Sequence, residues 1–469
     1  MVRQLVRQNF WFFVLACLAA LGLRLFFLLK LPHITADSTF YADIAKNWLL
    51  HGIYARTYDP NQIVPTFSRV PGYPGYLALV FAIFGVDNFR AVMAIQVLFD
   101  IGTCFVLADI SRRSISDRAA NAAFLLTALC PFLAQYSAAA LAETLEIFFT
   151  ALAMDFAIIG LNHLSSRELR PWIFCGAAVA ACILLRPDGG LLLLAMGVYL
   201  GILLWRAWRT HAPLLPIVRA GIVIAAVALA PLLLWGIRNR ITLHHWEFLA
   251  PRYANEPDEF VPLGFNRWLN TWIADYTSTE EIDWNVPGEA IDAGNLPSRA
   301  FDSPEQRQTT LQLIQEYNQA LNIGPELDAR FADLAAQRIH SHPLRYYVIL
   351  PALKILDMWL RPRTELLPPD SRWYQFEDDT KWLVLAIGLG VLNLLYVLAA
   401  VAGFVRGSPI AWVGLGLSYV VLRSLFLGTM ANPEQRYTLE CYPVVILLAS
   451  ALWGQSRRPL PEPTLDISQ

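Results

Sequence analysis

Phe10 to Lys30 reads FWFFVLACLAALGLRLFFLLK, and how that stretch is taken decides the fold. Its apolar run, Phe10 to Leu29, is about 20 residues, enough for an α-helix to cross a hydrocarbon core and longer than a signal-peptide h-region. No small-residue cleavage site follows it, so the sequence predicts a retained first membrane span. Working outward, nine further apolar runs stand at about 90–111, 119–135, 143–161, 171–185, 190–205, 217–237, 381–404, 409–427 and 437–454. The expectation is an all-α polytopic membrane protein with about ten transmembrane helices.

Composition agrees. Of the 469 residues 56% are hydrophobic and only 16% charged, against about 45–50% and about 25% in soluble domains. The mean hydropathy is +0.43. The 26 Phe, 17 Tyr and 15 Trp suit aromatic belts at the two membrane interfaces. A net charge of −2 supplies no basic surface for a phosphodiester backbone, so nucleic acid is not expected as a partner. Cys17, Cys104, Cys130, Cys175, Cys182 and Cys441 lie in or beside apolar runs without CxxC spacing. They read as buried small hydrophobes rather than a zinc or disulfide framework.

Placing the N-terminus inside puts Arg7, Arg112, Arg113, Arg118, Arg206, Arg209 and Arg406 on the cytoplasmic side, as the positive-inside rule asks. The chain then divides into a transmembrane module at 1–237, an extracytoplasmic loop domain at 238–380, transmembrane helices at 381–454 and a cytoplasmic tail at 455–469. The first module includes an outer loop at 31–89. That loop holds an amphipathic stretch from Asp37 to Leu50, and Tyr73 to Phe84, too short to span and expected as a juxtamembrane helix. In the larger loop, Ser303–Asn322 and Pro325–His340 carry helix signals with acidic residues early in each. Leu344–Leu360 is apolar but interrupted by Lys354 and Asp357, more suited to lying on a membrane than to crossing it.

Several residues on the outer side are chemically suggestive. Asp37 stands at the start of the amphipathic stretch, with Tyr41 on the same helical face. Two roles are open to it: capping that helix, or serving as a general base at the membrane surface. Glu143, in AAALAETLE, is either solvated at a span's outer edge or an ionisable group beside hydrocarbon, a functional position by default. Glu146 repeats that argument more weakly. Arg69, Arg186, Arg238 and Arg436 all fall at outer membrane edges. Each alone is explained by snorkelling to lipid head groups. Four together, beside two carboxylates, point to an anionic substrate, because guanidinium binds phosphate bidentately and never loses its charge. Arg24 and Arg423 lie deeper and need partners, and Asp100 and Asp155 are also intramembrane. No phosphate-binding loop, dinucleotide turn, HExxH helix or GxSxG elbow is present.

The sequence resembles the GT-C membrane glycosyltransferases, in particular the branch related to protein O-mannosyltransferases and the lipid A aminoarabinose transferase. The likeness rests on Asp37-Ser-Thr-Phe-Tyr41 with Leu-Leu-His-Gly52, on Arg69-Val-Pro-Gly-Tyr-Pro-Gly-Tyr76, on Ala142-Glu143-Thr-Leu-Glu, on Leu185-Arg186-Pro-Asp-Gly189 and on Gln435-Arg436-Tyr-Thr-Leu-Glu-Cys-Tyr-Pro443. It covers most of the chain except 240–380. What it implies is a sugar moved with inversion from a polyprenyl-phosphate donor to an acceptor at the outer face of a bacterial inner membrane. Asp37 and Glu143 would then be catalytic, and Tyr41, Arg69, Tyr73, Arg186, Arg238 and Arg436 substrate-binding. Glu143 lacks the adjacent aspartate of several relatives, and no metal or other cofactor is expected. Two rival readings are an O-antigen-type ligase or polymerase, relying on arginines and a histidine, and a flippase or transporter of a lipid-linked substrate. Transport is disfavoured because the best candidates cluster at one membrane edge and no internal repeat is seen.

Overall fold

The computed structural model describes residues 2–59, 62–256, 259–368, 372–375, 380–406 and 412–454. The expected tail at 455–469 lies outside them. The chain forms two units, one of Met1–Asp258 with Leu395–Val420 and Leu439–Gln469, the other of Glu259–Leu394 with Val421–Thr438.

In the first unit a short α1 (Val2–Gln8) leads into α2 (Phe10–Lys30), and the outer loop follows as α3 (Ala36–His51), a hairpin β1 (Ala55–Asp59) and β2 (Gln62–Pro65), and α4 (Gly72–Phe84). Then come α5 (Phe89–Ser114), α6 (Asp117–Ala128), α7 (Pro131–Ser137), α8 (Glu143–Asn162), α9 (Arg170–Leu185), α10 (Gly190–Arg209) and α11 (Leu215–Leu243). Among the described residues six helices are long and apolar enough to cross a membrane, or seven if α6 and α7, bent by 52°, count as one span. The chain is a multi-pass membrane protein.

The expected ten spans are not all matched at full length. Of the remaining runs, α9 and α18 (Val413–Gly428) have 16 residues each. The run at 437–454 forms 3₁₀ turns at Gln435–Cys441 and Ala451–Trp453 around a nine-residue α19 (Tyr442–Ser450). Pro443 in the first turn of α19 begins a helix rather than continuing one. Helix α11 continues to Leu243, so Arg238 stands in its last turns and not in the loop beyond.

The break between α6 and α7 explains two intramembrane charges. Pro131 has no N–H to give to the preceding turn, and the helix ends there. Arg24, fully buried on α2, takes up the carbonyls so released, donating to Thr127 O at 3.0 Å and to Ala128 O, while its Nε reaches Asp100 Oδ2 at 2.7 Å. Its guanidinium thus neutralises a buried carboxylate and satisfies an opened backbone together. Asp155 is similarly answered by Arg113, with Nη1 3.7 Å from Oδ1.

The second unit contains α12 (Leu263–Leu269), a single turn α13 (Tyr276–Ser278), α14 (Pro304–Ala320), α15 (Pro325–Ser341), α16 (Leu350–Leu360), the first part of α17 (Thr380–Arg406) and the last part of α18. Helices α14 and α15 occupy the stretches read as helical, the first capped by Ser303 onto Gln306 N. Their core is aromatic and aliphatic: Phe265, Trp268, Trp272, Leu313, Tyr317 and Phe331. Arg338, buried in α15, donates to Thr271 Oγ1 at 2.8 Å, Ala300 O at 2.7 Å and Arg299 O at 2.9 Å. Burial pushes its guanidinium down to about 10, against the opposing charge of Asp302. Lys354 and Asp357, which interrupt the apolar α16, turn to Asn270 Oδ1 at 2.8 Å and to Tyr276 N at 3.0 Å.

Replacing Arg24 by Leu leaves Asp100 charged and buried, a loss of about 3–5 kcal/mol. The expected result is a large fall in melting temperature in detergent, partly recovered in Arg24→Leu/Asp100→Leu. Equal losses in both would assign the stabilisation to the Thr127 and Ala128 carbonyl contacts instead of the charge pair.

Candidate active site

Backbone contacts bring distant loops of the first unit together. Just after α2, His33 N donates to Ala138 O at 2.9 Å, and Ala140 N donates back to His33 O at 3.1 Å. The residue pair forms a parallel bridge between the first outer loop and the segment preceding Glu143. On α4, the Tyr73 hydroxyl donates to Gln96 Oε1 at 2.9 Å, and Gln96 Nε2 donates to Ala139 O at 2.6 Å. Gly72 lies so close to the end of α9 that a Cβ would collide with the Leu184 carbonyl, which only glycine avoids. Beneath these contacts Ala42, Ala45, Tyr73, Leu77, Ala140, Ala142, Leu145 and Leu185 share one apolar cluster. Asp37, Arg69, Glu143 and Arg186 are therefore held on segments that touch.

Asp37 does not cap its helix. Thr35 does, in a capping box with Ser38: Ser38 N donates to Thr35 Oγ1 at 3.3 Å and Thr35 N donates to Ser38 Oγ at 3.0 Å. Of the two roles open to Asp37, the first is thus taken by a neighbour. Its carboxylate faces Arg69 instead, with Nη2 3.2 Å from Oδ1. The two side chains are 32% and 21% exposed, so solvent reaches this pair. Arg69 is aimed by Tyr54, whose hydroxyl donates to the Arg69 carbonyl at 3.0 Å, and its guanidinium stands 4.4 Å from the Phe40 ring centre.

Glu143 opens α8 and is buried, as is Glu146 one turn on. Arg186 answers both, with Nη1 at 3.0 Å from Glu143 Oε1 and Nε at 3.3 Å from Glu146 Oε2. It leaves α9 in an extended conformation, and the 3₁₀ turn Pro187–Gly189 brings Asp188 back to its Nε at 3.0 Å. The charge of Glu440 also acts on Arg186. Glu143 is thus not solvated, and Arg186 is surrounded by acid rather than open to an anion.

The Tyr41 ring centre lies 5.7 Å from the Arg69 guanidinium carbon. Burial pushes the Tyr41 phenol up, Arg69 and Arg186 pull it down, and Asp37 and Glu143 push it up, so all four charges bear on one ring. That ring meets Tyr73 edge-on at 5.1 Å. Tyr73 itself is fully buried. Among the described residues no group of three or more His, Cys, Asp or Glu side chains is arranged to hold a metal ion.

The other two arginines are engaged differently. Arg238 donates to Thr66 O and Tyr54 O, both at 2.7 Å, and clasps the two ends of the β1–β2 hairpin. Arg436 belongs to the second unit, where its Nε is 2.7 Å from Glu434 Oε2. Arg423, also in that unit, donates from Nε to Tyr437 O at 2.8 Å. Sequence reasoning did not single out Tyr54, Arg56, Gln96, Glu256 or Glu440. Tyr54 and Gln96 carried no motif, and Glu440 stood within a quoted stretch whose arginine drew the attention.

Residues 68–235 match the family described as dolichyl-phosphate-mannose-protein mannosyltransferase. Comparison with curated proteins found no significant match. Among solved structures the chain is similar to ArnT from Cupriavidus metallidurans bound to undecaprenyl phosphate, at 13% identity and a TM-score of 0.39, covering 95% of this chain and 78% of that one. It is also similar to the archaeal oligosaccharyltransferase AglB from Archaeoglobus fulgidus, in complex with an inhibitory peptide and a dolichol-phosphate. There the identity is 12% and the TM-score 0.49, over 95% of this chain and 50% of that one. The mannosyltransferase match falls on the segment that carries Arg69, Tyr73, Glu143 and Arg186, and it bears out the resemblance to the GT-C membrane glycosyltransferases.

Proposed function

We propose that the chain is an inverting glycosyltransferase that moves a sugar from a polyprenyl-phosphate donor to an acceptor hydroxyl or phosphate at the outer face of a bacterial inner membrane. One observation carries the reading: two guanidinium–carboxylate pairs, Arg69–Asp37 and Arg186–Glu143, stand on loops that the backbone ties together. The family match over this segment supports the same chemistry. The outer placement rests on the bias of arginines toward the opposite loops.

Asp37 serves as the general base. It takes the acceptor proton as the acceptor oxygen bonds to the anomeric carbon, and the bond from that carbon to the phosphate oxygen breaks on the opposite face. The polyprenyl phosphate leaves with one more negative charge than it carried in the donor. Base and phosphate must therefore stand on opposite sides of the sugar. A donor phosphate would compete with Asp37 for the Arg69 guanidinium, which now stands 3.2 Å from the carboxylate. The pair is monodentate and partly exposed, as such an exchange requires, and a phosphate takes two guanidinium N–H bonds in place of one. Preorganised donors of this kind contribute a few kcal/mol each to the transition state.

Arg186 has another task. Held by Glu143, Glu146 and Asp188, it orients Glu143 toward the sugar or the acceptor rather than receiving phosphate itself. Arg238 shapes the loop that carries Arg69.

The direct test incubates the protein in nanodiscs with a panel of polyprenyl-phosphate sugars and an acceptor-containing lipid extract, following polyprenyl phosphate by mass spectrometry. Release by the unmodified protein should fall at least about 100-fold in Asp37→Asn, the scale of a lost general base. Equal release by both would remove Asp37 from the chemistry. In the same assay Glu143→Gln should fold normally and lose roughly 10²-fold in rate, the effect of a misplaced substrate. Arg186→Met should instead lower the melting temperature, because it leaves buried carboxylates uncompensated. A stable Arg186→Met protein would show that these carboxylates do not depend on it.

A further inference from the structure

The first unit has a second feature at the other end of its first span. The chain turns at Asn9 between α1 and α2, and an apolar groove of about 340 Å³ lies beside the two helices. It is lined by Val6 of α1, by Phe10, Val14 and Leu21 of α2, and by Ile101 and Phe105 of α5. Phe13 backs it, buried against Phe105 and Phe124 with ring centres 6.4 Å and 4.9 Å away. Along α2 the groove runs from Phe10 to Leu21, about 17 Å at a rise of about 1.5 Å per residue. That is close to half of a hydrocarbon core of about 30 Å, so the groove is one leaflet deep. It lies in the leaflet opposite the loops of Asp37 and Arg69, which follow the far end of α2.

Apolar walls of that depth suit an acyl chain, and charge decides which lipid brings it. Arg7 stands between the groove residues Val6 and Phe10 in the chain and is exposed. Arg118 is exposed at the start of α6, two residues before Ala120, which shares a cluster with Leu5 and Val6. Two neighbouring arginines are already answered: Arg112 and Arg113 face Asp109, and Arg113 also faces Asp155. Among the described residues no carboxylate pairs with Arg7 or Arg118. Guanidinium groups left open at a membrane surface draw anionic head groups and donate to phosphate oxygens.

We propose that the groove holds one acyl chain of an anionic phospholipid from the leaflet at the α1 end, with its phosphate against Arg7 and Arg118. The site stands apart from the glycosyltransferase reading. A carrier lipid anchored by its phosphate beside Asp37 and Arg69 has no anion to offer at this end of α2. The bound phospholipid would fasten α1, whose Leu5 is already buried, to the corner formed by α2, α5 and α6.

The test titrates the full-length protein with phosphatidylglycerol and phosphatidylethanolamine of identical acyl chains and follows the first lipid retained by native mass spectrometry. The unmodified protein should favour phosphatidylglycerol at least about tenfold. Arg7→Gln and Arg118→Gln should each cut that preference about fivefold, the effect of one cation at a lipid surface, and Arg7→Lys should keep most of it. Val14→Trp, which fills the groove, should weaken retention of both lipids by about tenfold and leave the preference unchanged. Equal retention of the two lipids by the unmodified protein would overturn the anionic occupant. Full preference in both glutamine variants would overturn the placement of the phosphate. Unaltered retention in Val14→Trp would overturn the groove as the seat of the chain. Displacement of the lipid by micromolar inorganic phosphate would reduce the site to one for a free anion and overturn the proposal.

Discussion

A charge beside hydrocarbon survives only when a partner of opposite sign is built in with it, and that constraint orders the first unit. The strictest case is Arg24–Asp100, with side-chain exposures of 0% and 3% and the Arg24 guanidinium also bonded to backbone carbonyls. Arg186 with Glu143 is nearly as closed, at 16% and 2%. Asp37 with Arg69 is the open end of the series. Burial therefore ranks the pairs by how far solvent reaches them. The deepest holds helices together, the middle one fixes a carboxylate, and the outermost stands open to solvent.

The positions of those pairs depend on backbone. Both sides of the His33 bridge are short segments between helices, and their N–H and C=O groups need partners in a region poor in water. Bonding them to each other satisfies those groups and fastens the Asp37 loop to the Glu143 segment in one step. Gly72 does the equivalent for the Arg69 loop, since its missing side chain lets α4 lie against the end of α9 one residue before Leu185. The apolar cluster between them fills with alanines wherever the segments approach most closely.

The long spans were legible because a run such as Phe10–Lys30 is apolar but for Arg24 and its terminal Lys30, and its length identifies it. The run at 437–454 forms the nine-residue α19, opened by Pro443, between two 3₁₀ segments, the first of which holds the buried Thr438 and Glu440. The same rule stopped the seventh run at 237, just before Arg238, although α11 carries Arg238 and Arg240 to Leu243. At the site, charged residues in odd places were visible, and Asp37, Arg69, Glu143 and Arg186 do come together. What the spacing could not reveal was pairing. Asp37 looked like a cap because caps are local, whereas Thr35 takes that role through a box that includes Ser38 rather than the usual Glu or Gln. Arg56 escaped because its contact is with a ring contributed by a different element, Phe40 of α3.

Under the proposed function the contact between Asp37 and Arg69 has a kinetic meaning. A carboxylate held by a guanidinium is a weaker base than the same carboxylate alone, because proton uptake would forfeit the pairing. On that proposal a donor phosphate competes with Asp37 for the Arg69 guanidinium, 3.2 Å away, which would tie acceptor activation to donor occupancy through one side chain. Arg186 cannot serve in this way, since withdrawing it would leave Glu143 and Glu146 facing each other in a buried site. The division of labour between the two arginines follows from how many carboxylates each must neutralise.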